Sequence, residues 1–146
     1  MRRFLVGVTS RLACVGLLAG CGGGPKVVPV SGVVLIDGQP LTKGSVQVMP
    51  AGHRAAAGIL GPGGRFTLTT HAEGDGCVTG MHPVRVVGHE NVGATDLRWL
   101  APKKYATPEE SNLTVRIDGP TKDLKIELTW AGGKPFIEKG SSGDQK

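Results

Sequence analysis

Apolar and polar residues alternate with a period of two along several short stretches, and this period constrains the fold most. The clearest stretches are residues 66–70, 113–117 and 124–130. Successive side chains of a β-strand point to opposite faces, so the alternation is typical of strands with one buried and one exposed face. Weaker or more continuously apolar candidates are residues 27–36, 46–48, 55–60 and 84–86. The pattern therefore predicts about seven short strands and no long helix.

Turn signals separate these stretches. The chain contains 24 glycines and 10 prolines, a composition that argues against long helices. The main turn segments are Asp37-Gly38, Gly61 to Gly64, Gly74-Asp75-Gly76 and Asp118-Gly119-Pro120. Many short strands with closely spaced turns favour an all-β fold, a β-sandwich. The side chains expected to point inward are Val28, Val30, Val46, Val48, Phe66, Leu68, Val84, Val86, Leu113, Val115, Leu124, Ile126 and Leu128.

The first twenty residues have the layout of a secretory signal. Arg2 and Arg3 precede a mostly apolar run over residues 4–19, which Arg11 interrupts. The uninterrupted part is too short to cross a bilayer, so the segment is a signal peptide rather than a membrane span. We therefore exclude it from the fold.

The signal ends in Leu18-Ala19-Gly20-Cys21, which resembles the lipobox of bacterial lipoproteins. The resemblance implies cleavage before Cys21, a diacylglyceryl thioether on its sulfur and usually a further acyl chain on the new amino terminus. Because Gly22, which is not acidic, follows the cysteine, the resemblance also implies sorting to the outer membrane, facing the periplasm or the cell surface. The alternative is an ordinary signal peptide with a chance cysteine. The expected organisation is a signal peptide at 1–20, a lipidated cysteine and flexible tether at 21–27, one domain at 28–130 and a C-terminal tail at 131–146.

Removal of the signal changes both the charge and the cysteine count. The chain has 17 Lys and Arg against 12 Asp and Glu, and loss of Arg2, Arg3 and Arg11 leaves 14 against 12, a net charge of +2. No dense basic patch remains, so nucleic acid is not an expected partner. With Cys14 removed and Cys21 lipidated, Cys77 is alone and no intramolecular disulfide is expected.

Several motifs resemble carboxypeptidase regulatory-like domains, which are transthyretin-like seven-stranded β-sandwiches. Residues 30–34, 37–41 and 44–46 resemble the opening of such a domain, and Gly64-Arg65-Phe66-Thr67-Leu68 resembles its Gly-x-Phe strand. Gly80-x-His82-x-Val84-x-Val86 is similar to the strand that follows, where an aromatic residue commonly stands at the position of His82.

The chain as a whole resembles small lipoproteins of this class of the planctomycete type. The shared features, in order, are the Gly74-Asp75-Gly76 loop, Pro102-Lys103-Lys104-Tyr105 and the strand over residues 111–115. Cys77 departs from the pattern, because a small residue such as alanine is expected there. The resemblance implies a fold and an envelope location, and it implies no activity.

The residue types that carry chemistry form no recognised catalytic or metal-binding pattern. His71, Glu73, Asp75 and His82 lie within twelve residues, but their spacing matches neither a His-Glu-x-x-His motif nor a calcium loop. We interpret them as part of a solvated turn. Cys77 is the one thiol left, and the nearby Asp75 is expected to raise its pKa rather than activate it. We therefore expect no catalytic residue, no metal site and no cofactor.

Trp99 and Tyr105 are the candidate ligand contacts. Exposed aromatic side chains can stack on sugar rings, but these two can equally fold back over an open end or face of the sandwich. The sequence therefore predicts a non-enzymatic, lipid-anchored envelope protein with a structural or protein-interaction domain. One alternative is a module that binds a glycan or small ligand and exposes Trp99 beside Tyr105. The other is an enzyme in which at least two of His71, Asp75, Cys77 and His82 lie within hydrogen-bond reach.

Overall fold

The computed structural model describes residues 25–140, which fold mainly into short β-strands. The expected signal peptide at residues 1–20, Cys21 and residues 22–24 and 141–146 lie outside the described residues. The strands are β1 (Val27–Val28), β2 (Val30–Ile36), β3 (Gln39–Pro40), β4 (Ser45–Val48), β5 (Ala56–Ile59), β6 (Arg65–Thr67), β7 (Cys77–Val78), β8 (Gly80–Val87), β9 (His89–Asn91), β10 (Leu97–Trp99), β11 (Leu113–Ile117), β12 (Thr121–Leu128) and β13 (Phe136–Glu138). The helical elements are one short α-helix, α1 (Pro108–Ser111), and two 3-10 turns, Pro62–Gly64 and Lys103–Ala106.

Two four-stranded sheets form the body of the fold. In the first, β2 pairs with β12, β3 and β6, and in the second the strand order is β11-β8-β4-β5. All of these pairs are antiparallel except β2 with β12, which is parallel. Two smaller sheets complete the architecture, β1 with β7 and β9-β10-β13. The prediction of an all-β fold is confirmed.

Buried side chains from both four-stranded sheets join in one hydrophobic cluster. Eleven of the thirteen side chains expected to point inward are buried, and the other two, Leu113 and Leu124, are half-buried and pack against the cluster. Leu68, Val34 and Val46 have no measurable exposure. The period-two alternation thus identifies the core faces, because a one-residue slip would turn every side chain to the wrong side.

The turn at Asp37-Gly38 forms the predicted hairpin and also ties two strands together. Asp37 (φ 47°) and Gly38 (φ 80°) both adopt the left-handed conformation that the tightest hairpin turns require. The Asp37 carboxylate accepts hydrogen bonds from Thr129 Oγ1 at 2.7 Å and from the Trp130 backbone N–H at 3.2 Å. The end of β12 is therefore fixed to the end of β2.

The structure differs from expectation in the C-terminal part. Residues 89–111, which have no periodic pattern, contain the β9–β10 hairpin, a 3-10 turn and α1. Phe136–Glu138, assigned from the sequence to the tail, form β13 and pair with β10. Neither β9 (His-Glu-Asn) nor β13 (Phe-Ile-Glu) alternates apolar with polar residues, so a period of two could not reveal these strands. A domain boundary at residue 130 therefore omits a strand that is paired with the domain.

Candidate functional site

Asp75 organises the loop that holds most of the candidate chemical residues. Its carboxylate accepts three backbone hydrogen bonds, from Thr70 at 2.7 Å, His71 at 2.9 Å and Ala72 at 3.0 Å. The bond from Thr70, followed by the others, lowers the pKa of Asp75. The Thr70 hydroxyl in turn donates to the Gly76 carbonyl at 2.7 Å. These hydrogen bonds close a tight turn, and the Asp75 carboxylate is engaged by backbone N–H groups.

The other candidates do not converge on this carboxylate. His71 is exposed, whereas His82 is buried with Nε2 2.9 Å from the Val78 carbonyl oxygen. The only hydrogen bond among His71, Asp75, Cys77 and His82 within residues 25–140 runs from the His71 backbone N–H to the Asp75 carboxylate. No hydrogen bond in this part of the chain joins two side chains of the set, so their reactive groups are not paired as the enzyme alternative requires. The same part of the chain contains no cluster of three His, Cys, Asp or Glu residues arranged to hold a metal ion.

Cys77 is a buried thiol in β7, with no exposed surface. It pairs with Val28 of β1, and it belongs to the hydrophobic cluster. Burial raises the pKa of the Cys77 thiol, and the negative charge of Asp75 adds to the increase. A nucleophilic cysteine needs the opposite environment, one that is electropositive and accessible. The thiol therefore packs as a small apolar group of the hydrophobic cluster.

Trp99 and Tyr105 are both buried, with 7% and 5% of their surface exposed. The Tyr105 hydroxyl lies 3.3 Å from the Thr129 carbonyl and accepts from the Thr129 N–H at 3.2 Å. Neither ring presents a face on which a sugar could stack, so the arrangement that the glycan alternative needs is not present in this structure. The burial matches the interpretation that both side chains fold back onto the domain.

Trp99 is the centre of an aromatic cluster, which we define as His89, Trp99 and Phe136. The three residues occupy paired positions on β9, β10 and β13, so their side chains share one face of the small sheet. The Trp99 ring lies edge-on to His89 at a centroid distance of 5.3 Å and stacks on Phe136 at 6.4 Å with an interplanar angle of 17°. The cluster joins three strands that are too short to be stable alone.

Glu138 holds β13 in place. Its carboxylate accepts a hydrogen bond from Trp99 Nε1 at 2.7 Å and an ion-paired one from Lys103 Nζ at 2.8 Å. The Lys103 hydrogen bond, followed by that of Trp99, lowers the pKa of Glu138. The Lys103 ammonium also lies 5.3 Å from the Trp99 ring centroid, a cation–π geometry. Sequence reasoning missed Phe136 and Glu138, because their partners lie more than 30 residues away.

The aromatic cluster and the start of the domain lie at opposite ends of β2. The chain enters β2 at Val30, whereas the Leu41 N–H bonds the Val34 carbonyl near the other end. Leu41 also borders Gly88, whose carbonyl accepts the N–H of Leu100 just after β10. The small sheet therefore extends from the end of the domain that is far from the amino terminus.

The surface also carries a shallow groove along β6. Three adjoining clefts of about 480, 450 and 330 Å³ share Thr67 as a lining residue. The exposed Ile59 lines the two larger clefts, and Glu73 contributes a carboxylate to the first. The groove offers hydroxyl groups such as that of Thr67, several apolar side chains including Phe66 and Val30, and the charged side chains of Arg65 and Lys122.

Comparison with known proteins returned no match: no family model, curated protein or solved structure is similar to this chain. Among residues 25–140, no helix is long and apolar enough to cross a membrane.

Proposed function

We propose that this chain is a non-enzymatic, lipid-anchored envelope protein whose β-domain has a structural or protein-interaction role. The observation that carries the proposal is the distance in sequence between Cys21 of the lipobox-like motif and Val27, where β1 begins. The Lys26 carbonyl already accepts a hydrogen bond from the Thr79 N–H at 3.0 Å. Four residues, Gly22 to Pro25, separate Cys21 from Lys26, so the Cα atoms of these two residues lie at most about 18 Å apart when the link is extended.

We further propose that the domain is a transthyretin-like β-sandwich of the carboxypeptidase regulatory-like class. Seven strands of three or more residues occur in the two four-stranded sheets, namely β2, β4, β5, β6, β8, β11 and β12. Their inward side chains share one hydrophobic cluster, as two sheets packed face to face require. An experimental structure whose two sheets failed to pack on each other would refute this assignment.

The small β9-β10-β13 sheet supports an interaction role. Phe136 and Ile137 follow one another on β13, so their side chains point to opposite faces, and 41% and 51% of their surfaces are exposed. β13 is also an edge strand of the small sheet, and edge strands are ready templates for pairing with another chain. If Cys21 carries the lipid, this end of the domain points away from the membrane.

Metabolic labelling with a fatty-acid analogue tests the anchor. The unaltered chain and Cys14→Ala should both incorporate the label, because Cys14 belongs to the removed signal, and Cys21→Ala should not. Two or three acyl chains hold a protein stably at a membrane, whereas one chain holds it only marginally. Equal labelling of Cys21→Ala and the unaltered chain would refute lipidation.

Membrane fractionation tests the proposed location. The unaltered chain should be recovered with the outer membrane, and Gly22→Asp should shift it towards the inner membrane. Gly23→Asp adds the same charge one residue later and should leave the distribution unchanged. Recovery of the unaltered protein with the inner membrane would contradict the sorting proposal without affecting the lipid anchor itself.

A further inference from the structure

The parallel pair of β2 and β12 links the first long strand of the domain to the last strand of its core. Five consecutive residue pairs join Gly32–Ile36 to Leu124–Leu128. Backbone hydrogen bonds close both ends of the pair, from Thr121 N to the Pro29 carbonyl and from Asp37 N to the Leu128 carbonyl, each at 3.0 Å. The contact between these two strands is more extensive than that between any other two elements of the described chain.

Gly32 allows the two strands to approach this closely. A Cβ atom at position 32 would lie 2.0 Å from the Leu124 carbonyl oxygen and 2.9 Å from the Leu124 Cβ. Both distances are below van der Waals contact, so only glycine fits at this position without a backbone shift. The side chains of Val34, Ile126 and Leu128, which flank this point, are buried in the hydrophobic cluster.

The strand directions determine how the pair responds to tension. The chain enters β2 at Val30 and leaves β12 at Leu128, and because the strands are parallel these points lie at opposite ends of the pair. A force that pulls the chain ends apart therefore slides β2 along β12 and loads all the interstrand hydrogen bonds together. A force applied at the same end of both strands would instead break these bonds one after another.

β13 lies outside this pair in the chain order. A pull on the carboxyl terminus reaches the attachment of β13 to β10, which consists of three residue pairs, before it reaches β12. Release of β13 removes Phe136 from the Trp99 ring, while the pairing of β2 with β12 is still intact. The topology thus orders the two events, with the small sheet yielding first.

We propose that the β2–β12 pair is a mechanical clamp that keeps the domain folded under tension between its amino-terminal anchor and its carboxyl-terminal end. The source of the tension rests on the proposed lipid anchor, but the clamp itself is a property of the fold. A domain with this arrangement serves as a tension-bearing link between a membrane and a partner that holds the far end.

Single-molecule force spectroscopy on the full chain, with peptide handles at both ends, tests the clamp. A comparison chain is pulled between the exposed position 39, just after β2, and the carboxyl terminus, so that the force acts on the same end of both strands. It carries Gln39→Cys as the attachment point, and Cys14 and Cys21 are replaced by serine. Forced unfolding reports the unfolding barrier. Because each interstrand bond is weak alone, end-to-end pulling should need at least about twofold more force than the comparison geometry. Equal or lower force would overturn the proposal.

A disulfide identifies which contact resists the force. Val33 and Lys125 are paired residues of β2 and β12, and Lys125 is exposed, so Val33→Cys with Lys125→Cys should form a bridge between adjacent strands. After oxidation, the main rupture should disappear and the chain should lengthen only outside residues 33–125. A main rupture that persists after oxidation, or a bridge that fails to form, would refute the clamp. Because none of these measurements involves lipid, a failed fatty-acid label would refute the anchor alone.

Discussion

Replacement of Phe66 by alanine should destabilise the domain more than any exposed change on the same strand. Phe66 lies in the centre of β6, pairs with Gly32 and is only 3% exposed. Its Cβ lies 3.2 Å from where a Cβ on Gly58 of the other four-stranded sheet would be, so the ring fills space between the two sheets. Close packing at this point leaves little freedom to collapse around a cavity.

The expected cost is about 3–5 kcal/mol, the usual range for removal of a buried phenylalanine ring. The free energy of unfolding of a single domain is about 5–15 kcal/mol, so the substitution removes a large fraction of the stability of the domain. For a domain of this size, 1 kcal/mol shifts Tm by about 4 °C, and Phe66→Ala should therefore lower Tm by roughly 12–20 °C.

Thr67→Ala is the matched control, because Thr67 follows Phe66 on β6 and points to the exposed face. Exposed substitutions usually change the free energy of unfolding by less than about 0.5 kcal/mol. Circular dichroism melting of the unlipidated chain measures both variants. A larger loss for Thr67→Ala than for Phe66→Ala would show that the register of β6 is wrong.

Three further predictions concern single side chains. Gly32→Ala should lower the free energy of unfolding in urea by at least about 1–3 kcal/mol, because the added methyl group overpacks against Leu124. The control Gly61→Ala should be nearly neutral, because the nearest atom to a Cβ at position 61 is 3.7 Å away. Equal effects of the two substitutions would refute the close approach of β2 and β12. In a chain with Cys14 and Cys21 replaced by serine, Cys77 should react slowly with iodoacetamide when folded and quickly in denaturant, and fast reaction of the folded chain would contradict its burial. In a Trp130→Phe background, Glu138→Gln should make the fluorescence of Trp99 more sensitive to quenching by acrylamide. The control Glu127→Gln, on the exposed face of β12, should leave the quenching unchanged. Unchanged quenching in Glu138→Gln would mean that Glu138 does not hold β13.

Several of the strands that were predicted correctly carry a long alternation. β8, β11 and β12 each contain five or more residues, so a buried and an exposed face can be distinguished along the chain. The hairpin at Asp37-Gly38 was also predictable, because the turn chemistry is local. Neither signal says which strands pair across the fold, and the parallel contact of β2 with β12 joins residues about 90 positions apart.

The environment of Trp99 could not be predicted from the sequence. Its ring is covered by His89, by Phe136 and by the Lys103 ammonium, and its N–H bonds Glu138. Neither β9 nor β13 shows an alternation of apolar and polar residues, so the sequence does not reveal the strands that cover Trp99. The Asp75 loop was different, because its partners lie within five residues, and the interpretation as a turn required only local geometry.

The Asp75 loop should make the stability of the domain sensitive to acid. Backbone hydrogen bonds lower the pKa of Asp75 below its ordinary value of 3.8, so the folded state binds this proton less readily than the unfolded state does. The stabilisation is therefore fully present above pH 3.8 and is lost as the pH falls through the lower pKa of the folded state.

In Asp75→Asn the side chain stays neutral at every pH, so the variant should be less stable at pH 7 and should lose less stability on acidification. Urea unfolding between pH 7 and pH 3 measures the difference, and Glu73→Gln, a neighbouring exposed change, should follow the unaltered chain. Parallel pH profiles for Asp75→Asn and the unaltered chain would show that the carboxylate does not hold the loop closed.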